Sequence, residues 1–333
     1  MSSETVDDLL ARLPSPDEAA RGAMRARASC VLRPEGALAR LDELAAWLAA
    51  WQRTDRPGVR CPVALVFAAD HGVTVEQVSA YPASVTAAML AALRSGAATA
   101  CALSASVGVR LEVVEVGVGA PTGNIAVEDA LTPERWWGAF EAGRAAVHDL
   151  DADLLVLGEL GIGNTTVAAA LSAAMFGGES TRWTGAGTGV VGEALARKLG
   201  VIDRARHRVM GEDSPIQLLR RVGGSELTAI AGAAIEARLR SIPVLLDGYV
   251  VTAAVAPLEV ASRGALAHCW AAHRSAEPGH GRLLERLGMI PILDLGFRLG
   301  EASGALLAVP IVRAAADAVV QTATFAEWEL ASA

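Results

Sequence analysis

Several residue types are scarce in this chain of 333 residues, and each scarcity excludes a class of protein. Aromatic residues make up only 4% of the chain and charged residues 20%, whereas hydrophobic residues make up 52%. An apolar fraction this high, combined with a net charge of only -8, excludes an intrinsically disordered chain. Because aromatic residues are so few, we expect a closely packed core of small side chains.

Basic clusters and metal-ligand spacings are also missing. The acidic balance and the lack of a basic stripe argue against a nucleic-acid partner, because affinity for phosphate backbones comes from clustered lysine and arginine. The four cysteines are scattered singly, which predicts free thiols and no zinc site. These cysteines are Cys30, Cys61, Cys101 and Cys269. The spacing of His268, His273 and His280 does not place two of them on one helical face, so we expect neither a metal nor a cofactor.

Long hydrophobic runs are absent as well. The most apolar stretches are interrupted by Arg94, Asp247 and Arg263 before they reach the roughly 18 to 20 residues of a spanning helix. The acidic start, MSSETVDDLLARLPSPDE, lacks the basic and apolar regions of a signal peptide. We therefore expect a cytoplasmic protein without a membrane partner.

Short apolar runs that end in glycine or acidic residues alternate with alanine-rich helical patterns. The runs are 62–72, 110–119, 152–163, 242–251 and 289–296. Continuous apolar strands between helices are typical of a parallel sheet covered on both faces. The pattern predicts an α/β fold with a doubly wound, mainly parallel, Rossmann-like sheet, in which ligands bind beyond the carboxyl ends of the strands.

Helical patterns occupy both ends of the chain. Residues 17–51 read as helix, 53–62 as a polar linker, and 302–333 as a final helical stretch. We expect 1–58 and 306–333 to form a small helical domain, and 59–305 to form a large α/β catalytic domain.

The segment GELGIGNTTVAAAL, 158–171, has the features of a phosphate-binding loop. Gly161 and Gly163 let backbone amides approach an anion, and Asn164 begins a helix whose N-terminus favours negative charge. The alternative is a tight turn with an ordinary helix cap. Glu159 favours a functional site, because a carboxylate at the end of a buried strand is costly unless something binds it.

Lys198 is the one lysine among 29 basic residues, and it follows a second glycine loop that contains Gly187. A compact ammonium retained in an arginine-rich chain suggests a specific site, although chance survival on a solvated helix face is the alternative. The loop includes GTGVVG, a formal dinucleotide-binding pattern, but it follows the polar RWTGA and not a buried strand. Ser275 and Glu301 lie at two later helix starts, where each is either a ligand contact or a helix-capping residue.

Six motifs together resemble the nicotinate-nucleotide:dimethylbenzimidazole phosphoribosyltransferase family, in order from about residue 31 to about 316. They are AADHGVTVEQVSAYPASVT, GELGIGNTT, VGGSELTAIAGA, PVLLDGYVVTAA, HRSAEPGH and LDLGFRLGEASGALLA. The resemblance implies a homodimer that transfers the 5-phosphoribosyl group of nicotinate mononucleotide to 5,6-dimethylbenzimidazole, giving α-ribazole 5'-phosphate and nicotinate. It also implies a small domain built from both chain ends.

The resemblance further implies which residues act. Glu301 corresponds to the catalytic carboxylate, which would accept the proton that the attacking benzimidazole loses. The nucleotide and phosphate positions would be Glu159, Gly161, Gly163, Asn164, Gly187, Lys198 and Ser275. The acceptor-base positions would be Tyr81, Ala88, Met89, Leu160 and Leu299. No magnesium is expected, because the donor carries a monophosphate and no pyrophosphate.

Two departures from the family pattern affect the expected acceptor. The chain reads RPEGALARL at 33–41, where the family commonly has Lys-Pro-Pro-Gly-Ser-Leu-Gly-Arg-Leu, and it is shorter than many relatives between Val118 and Asn124. Adenine, phenols and other benzimidazoles therefore remain open as acceptors. A catalytically silent nucleotide-binding subunit and a dinucleotide-dependent oxidoreductase are the alternative functions.

Overall fold

The centre of the computed structural model, which describes residues 5–329, is a sheet of five parallel strands. The strands are β1 Pro62–Ala69, β2 Arg110–Gly117, β3 Leu154–Leu160, β4 Val244–Leu246 and β5 Cys269–Ala271. Their order across the sheet is β2-β1-β3-β4-β5. The predicted α/β fold with a parallel sheet is confirmed.

Helices cover both faces of this sheet. Within the described residues they are α1 Val6–Ala11, α2 Glu18–Ala28, α3 Arg40–Gln52, α4 Val85–Ser95, α5 Thr99–Val107, α6 Pro133–His148, α7 Asn164–Phe176, α8 Gly192–Arg208, α9 Pro215–Val222, α10 Ser225–Leu239, α11 Tyr249–Ala261, α12 Pro278–Leu287 and α13 Ser303–Val320. Val63 and Leu65 of β1 pack into the apolar layer that contains α6, α7, α10 and α11. The alternate residues Ala64 and Val66 pack into the layer of α3, α4, α5 and α13. Every residue of β1 is buried, which explains its continuous apolar sequence.

The predicted single helix over 17–51 is wrong. The structure has two helices there, α2 ending at Ala28 and α3 beginning at Arg40. Pro34 and Gly36 lie between them, and Gly36 has a left-handed backbone with φ 70°. A proline removes a backbone donor and a left-handed residue leaves the helical path, so the helix cannot continue.

The predicted strand over 289–296 is also wrong, because the fifth strand is Cys269–Ala271. Within 289–296 the structure has one isolated bridge, between Leu293 and His273. Pro291 lacks the amide that a strand needs, and Ile290 is 68% exposed. The segment lies beside the end of β5 as an irregular edge.

The two chain ends meet through backbone and side-chain contacts. Val31 pairs with Thr324 in an antiparallel bridge, and the Arg27 guanidinium donates to the carbonyl of Val319. Met24 of α2, the inner face of α3 and Val319 of α13 share a small apolar cluster. By contrast, Leu9 of α1 packs into the core of the large α/β unit. The predicted domain division stays a prediction; residues 1–4 and 330–333 lie outside the described residues.

Within residues 5–329, two helical stretches are long and apolar enough, by length and composition alone, to cross a membrane: Val85–Val107 and Ser303–Val320. The first is interrupted at Gly96, where α4 ends with φ 80°. The second is α13, whose Leu306 and Val309 are completely buried against the sheet. A core helix of a globular protein passes the same test, so this is weak evidence for a membrane span.

Candidate active site

A cavity of about 400 Å³ opens at the carboxyl ends of β3, β4 and β5. The strand order reverses between β1 and β3, and ligands of open parallel sheets bind at such a reversal. Of the thirteen site residues predicted from the sequence, ten lie on the cavity wall. They are Tyr81, Met89, Glu159, Leu160, Gly161, Asn164, Gly187, Ser275, Leu299 and Glu301.

Glu301 lies on an unusual turn at the start of α13. Gly300, Glu301 and Ala302 all have left-handed backbones, with φ 82°, 57° and 66°. Two consecutive non-glycine residues in this region are strained, and such strain is commonly found at functional sites. The turn packs so closely on β3 that a Cβ on Gly158 would lie 2.5 Å from the Ala302 nitrogen. The Glu301 amide donates to the Glu159 carbonyl over 3.1 Å, which fixes the turn to the end of β3.

The Glu301 carboxyl is buried and lies near another carboxyl group. Burial and the nearby Asp247 raise its pKa above the ordinary value, and a hydrogen bond from the Ala100 backbone at the start of α5 opposes this rise. Its Oε2 is buried and has no protein partner among the described residues. A buried, unpartnered carboxylate with a raised pKa is suited to accept a proton from a ligand.

Glu159 provides a second carboxyl on the same wall. Its Oε2 accepts a hydrogen bond from the Asn164 side chain. Burial, Asp247, Glu226 and Glu301 raise its pKa to about 8, although the Asn164 hydrogen bond opposes the rise. A pKa of about 8 favours the protonated form of Glu159 in the unliganded site at neutral pH.

Asp247 connects His273 to the start of α13. Its Oδ1 accepts from the amides of Gly304 and Ala305, each over 2.9 Å, in the first turn of α13. The same oxygen lies 3.3 Å from Nε2 of His273, which lines the cavity. The carboxylate thus fixes the beginning of α13 next to the Glu301 turn.

Lys198 lies directly behind the cavity wall. Its ammonium donates to Thr165 Oγ1 over 3.0 Å and to the Gly185 carbonyl over 3.1 Å, and burial lowers its pKa to about 8. A Cβ on Gly187, which lines the cavity, would lie 2.9 Å from this nitrogen. Glu277 opposes the fall in pKa, and its Oε1 accepts from the Gly187 amide over 2.9 Å. Lys198 and Glu277 therefore both lie against the loop that contains Gly187.

Ser275 is held by a buried histidine. The Ser275 amide donates to His280 Nδ1 over 2.9 Å, so Nε2 carries the ring proton and points to Thr252 Oγ1 at 3.0 Å. Burial lowers the pKa of His280 to about 3, which keeps the ring neutral. The histidine therefore fixes the backbone of Ser275 without adding charge.

Part of the cavity wall is apolar. Val85 and Met89 of α4, Leu160 and Leu299 lie on it, together with Tyr81, which is 54% exposed. A flat aromatic base fits such a wall. Ala88 is exposed on another side of α4 and does not line the cavity.

Gly163 and Lys198 likewise lie outside the cavity wall. Gly163 caps α7 with φ 96°, and a Cβ there would lie 3.2 Å from Val73.

The GTGVVG pattern follows a short 3-10 helix and an irregular loop, so it lacks the strand that a dinucleotide site requires. Within residues 5–329, no group of three or more His, Cys, Asp and Glu side chains is placed to hold a metal ion.

Sequence reasoning missed several residues of the wall. They are Val85, Ile162, Thr165, Thr188, Gly248, Tyr249, Val250, His273, Glu277, Arg298 and Gly300. His273 and Glu277 lie in the same HRSAEPGH motif as Ser275, so the motif itself was the available signal. Arg298 donates to the Gly187 carbonyl over 3.2 Å, a contact between distant loops that no local pattern indicates.

Comparisons with known proteins cover nearly the whole chain. A family model described as phosphoribosyltransferase matches residues 13–329. The nicotinate-nucleotide--dimethylbenzimidazole phosphoribosyltransferase of Methylocella silvestris is 46% identical over 330 residues, which are 98% of this chain and 96% of that protein. That of Novosphingobium aromaticivorans is 46% identical over 319 residues, 96% of this chain and 94% of that protein. The solved structure of CobT from Thermus thermophilus has a TM-score of 0.90 at 38% identity, covering 95% of this chain and all of that one.

Proposed function

Because this chain belongs to the nicotinate-nucleotide:dimethylbenzimidazole phosphoribosyltransferase family, we propose that it transfers the 5-phosphoribosyl group of nicotinate mononucleotide to 5,6-dimethylbenzimidazole. The products are α-ribazole 5'-phosphate and nicotinate, and the reaction belongs to cobalamin lower-ligand synthesis. One observation supports this most strongly: Glu301 and Glu159 lie on one cavity wall and are joined through their backbones.

Glu301 is the general base of the proposed reaction. One benzimidazole nitrogen forms a bond to the ribose C1 as the bond from C1 to the nicotinate nitrogen breaks. The other benzimidazole nitrogen then loses its proton to the Glu301 carboxylate. Nicotinate leaves with the electron pair of the broken bond and needs no proton, because its ring nitrogen was cationic in the donor.

Glu159 acts on the ribose. Protonated in the empty site, it can donate a hydrogen bond to a ribose hydroxyl. The cationic ring of the bound donor favours its ionised form, which then stabilises the positive charge that develops on C1. The Asn164 side chain holds this carboxyl in place.

The phosphate of the nucleotide binds beside Lys198, Gly187 and Ser275. A buried ammonium supports an anion more strongly than an exposed one, because the surroundings screen it less. Gly161 provides backbone without a side chain beside the phosphate, and Gly163 starts α7, whose N-terminus favours negative charge. Tyr81, Met89, Leu160 and Leu299 line the cavity and receive the acceptor base, whereas Ala88 does not line it. The chain carries out this reaction without a metal or cofactor.

The working form of the protein is a cytoplasmic homodimer. The stretch of α4 and α5 is apolar, yet most of it lies outside the core, with Ala91 and Ala102 exposed. We assign the exposed alanines of these two helices to the subunit interface, because exposed apolar surface is typical of such interfaces. Light scattering should give twice the chain mass of 34.3 kDa, and Ala91→Glu or Ala102→Glu should give the monomer.

The direct test is a transfer assay without added metal. Purified protein is incubated with nicotinate mononucleotide and, separately, with benzimidazoles, phenols and adenine, and nicotinate release and ribosylated product are followed by mass spectrometry. We expect a base-dependent product that is largest with 5,6-dimethylbenzimidazole. A larger product with another base would reassign the acceptor, and nucleotide binding without any product would indicate a silent subunit. Binding of a reduced nicotinamide dinucleotide would favour an oxidoreductase.

A further inference from the structure

A fully buried carboxylate, Asp247, lies next to the cavity wall and is not used by the proposed reaction. It follows β4, and its exposed fraction is 0%. The next residue, Gly248, lines the cavity, whereas Asp247 does not. Any effect of this carboxylate on the reaction must therefore pass through the protein groups that it contacts.

Hydrogen bonds tie Asp247 to two neighbouring elements. Its backbone amide donates to the Leu157 carbonyl of β3 over 3.2 Å. Its Oδ1 accepts from the backbone amides of Gly304 and Ala305, each over 2.9 Å, in the first turn of α13. A single residue thus joins the strand at the centre of the site to the helix that follows the catalytic turn.

The start of α13 depends on this remote acceptor. The first amides of a helix have no partner within the helix, and the side chain of the N-cap residue usually accepts from one of them. Here the N-cap residue is Ala302, which has no side-chain acceptor. The hydroxyl of Ser303 is buried and has no protein partner among the described residues, so it does not cap the helix either. Asp247 supplies the missing cap from outside the helix.

Glu301 lies between two anchors. On one side, its own amide donates to the Glu159 carbonyl at the end of β3. On the other side, three residues further along, the Gly304 amide donates to Asp247. All of residues 300–302 have left-handed backbones, and such a strained run persists only where the surrounding structure holds it in place.

Resting on the proposed function, we propose that Asp247 is a positioning residue that keeps the Glu301 carboxyl within reach of the acceptor base by capping α13. His273 confines the same turn, because a Cβ on Gly304 would collide with its ring. Without the Asp247 acceptor, the first turn of α13 loses one anchor and the strained turn can relax. A displacement of about 1 Å in a reacting group can lower the rate about 100-fold.

A double-mutant cycle with Glu301 tests this role. Asp247→Ala removes the acceptor, so we expect kcat for phosphoribosyl transfer to fall about 100-fold, with a change of less than about threefold in KM for the nucleotide. In the Glu301→Gln background, the same change should lower kcat by less than about threefold, because the group that Asp247 positions is already lost. Equal losses in the two backgrounds would overturn the proposal.

Asp247→Asn separates the hydrogen bonds from the charge. The side-chain oxygen of asparagine can still accept from the two amides, so this variant should recover most of the kcat that Asp247→Ala loses. A loss as large as that of Asp247→Ala would assign the effect to the charge and overturn the capping role. If Asp247→Ala does not fold, Asp247→Ser takes its place in the cycle, because its hydroxyl keeps the site polar but is one bond shorter.

Asp153→Ala is the matched control. One oxygen of Asp153 accepts from the amides of Arg60 and Cys61, and the other is buried without a protein partner among the described residues. Asp247 has the same pattern, but Asp153 precedes β3 and so lies at the end of the sheet opposite the cavity. Its loss should lower the melting temperature and leave kcat at the parental value.

Hydrogen–deuterium exchange in the unliganded protein tests the cap without the reaction. Peptides that cover residues 300–306 should exchange faster in Asp247→Ala than in the parent, whereas Asp247→Asn and Asp153→Ala should match the parent. Unchanged exchange in Asp247→Ala would overturn the proposal. Failure of the parent to transfer phosphoribose would overturn the proposed function, whereas the exchange result would still decide whether Asp247 holds the start of α13.

Discussion

The backbone amide of Glu301 donates to the backbone carbonyl of Glu159 over 3.1 Å, so the two carboxyl-bearing residues are fixed to each other without using their side chains. The Oε2 of Glu301 keeps no protein partner among the described residues and stays available for a ligand. Three consecutive left-handed residues make this contact possible, because they turn the chain against the end of β3 before α13 begins. The strained turn positions Glu301, the proposed general base, and β3 positions Glu159, the proposed ribose contact.

Replacing Glu301, the proposed general base, should abolish most of the phosphoribosyl transfer activity. Glu301→Gln keeps the size of the side chain but cannot accept the benzimidazole proton, so we expect kcat to fall by about 100- to 10,000-fold with little change in KM for the nucleotide. Steady-state assays of nicotinate release measure both constants.

Glu193→Gln, an exposed change on α8, is the matched control and should retain parental kcat. If Glu301→Gln kept parental turnover, the general base would have to be another group.

Alanine variants of two glycines with the same backbone conformation can distinguish the cost of backbone strain from a displacement of Glu159 in the site. Gly300 and Gly288 both have left-handed backbones, with φ 82° and 65°. A Cβ on Gly300 would collide with Glu159 Oε1, whereas a Cβ on Gly288 would meet nothing within 4 Å. Each alanine variant should lose about 1 kcal/mol of unfolding free energy from the left-handed backbone, but only Gly300→Ala should also displace Glu159 and lose transfer activity.

Chemical denaturation and transfer assays on the two variants check this difference. Equal activity in Gly300→Ala and Gly288→Ala would mean that the close approach of Gly300 to Glu159 has no part in the reaction.

Much of the fold could be predicted because long buried strands leave a clear sequence pattern. β1 and β3 are continuous apolar runs, since helices cover both faces of the sheet. β5 has only three residues, Cys269–Ala271, too few to show a pattern, whereas the more apolar 289–296 lies at an irregular edge. Apolar composition alone does not distinguish a strand from an edge segment that packs on it.

The site was predictable where a residue lies in a dense motif. Glu159 lies at the end of β3, Gly161 follows it, and the lone Lys198 follows a glycine loop. The burial of this lysine behind the cavity wall was not predictable, since it depends on the packing of α8 against the Thr165 region. The pairing of His71 with Glu226 was equally hidden, because it joins residues 155 positions apart.

The buried lysine should govern nucleotide affinity at high pH. Lys198→Met removes the ammonium beside the Gly187 loop, so KM for nicotinate mononucleotide should rise about 10- to 100-fold with a smaller change in kcat. In the parent, the ammonium loses its proton as pH rises through its pKa of about 8, so KM should rise there. KM measured against pH should show this rise in the parent and lack it in Lys198→Met.

Arg197→Met, an exposed loss of charge one residue earlier on α8, serves as the control and should behave as the parent. A Lys198→Met protein with parental KM would remove the lysine from the phosphate site.

Glu159 should lower the stability of the unliganded protein as pH rises. Its pKa is about 8 in the folded state and 4.5 as the ordinary value, so between these two values the folded chain binds the extra proton and unfolding becomes easier with increasing pH. Glu159→Gln cannot ionise in either state, so it should be more stable than the parent by no more than about 3 kcal/mol at about pH 7, with the difference vanishing below about pH 4.5. Urea denaturation at several pH values measures this difference, with the exposed Glu285→Gln as control. A parent that gained stability relative to Glu159→Gln over the same range would show that Glu159 is ionised in the empty site, and its stabilising partner would then have to be sought.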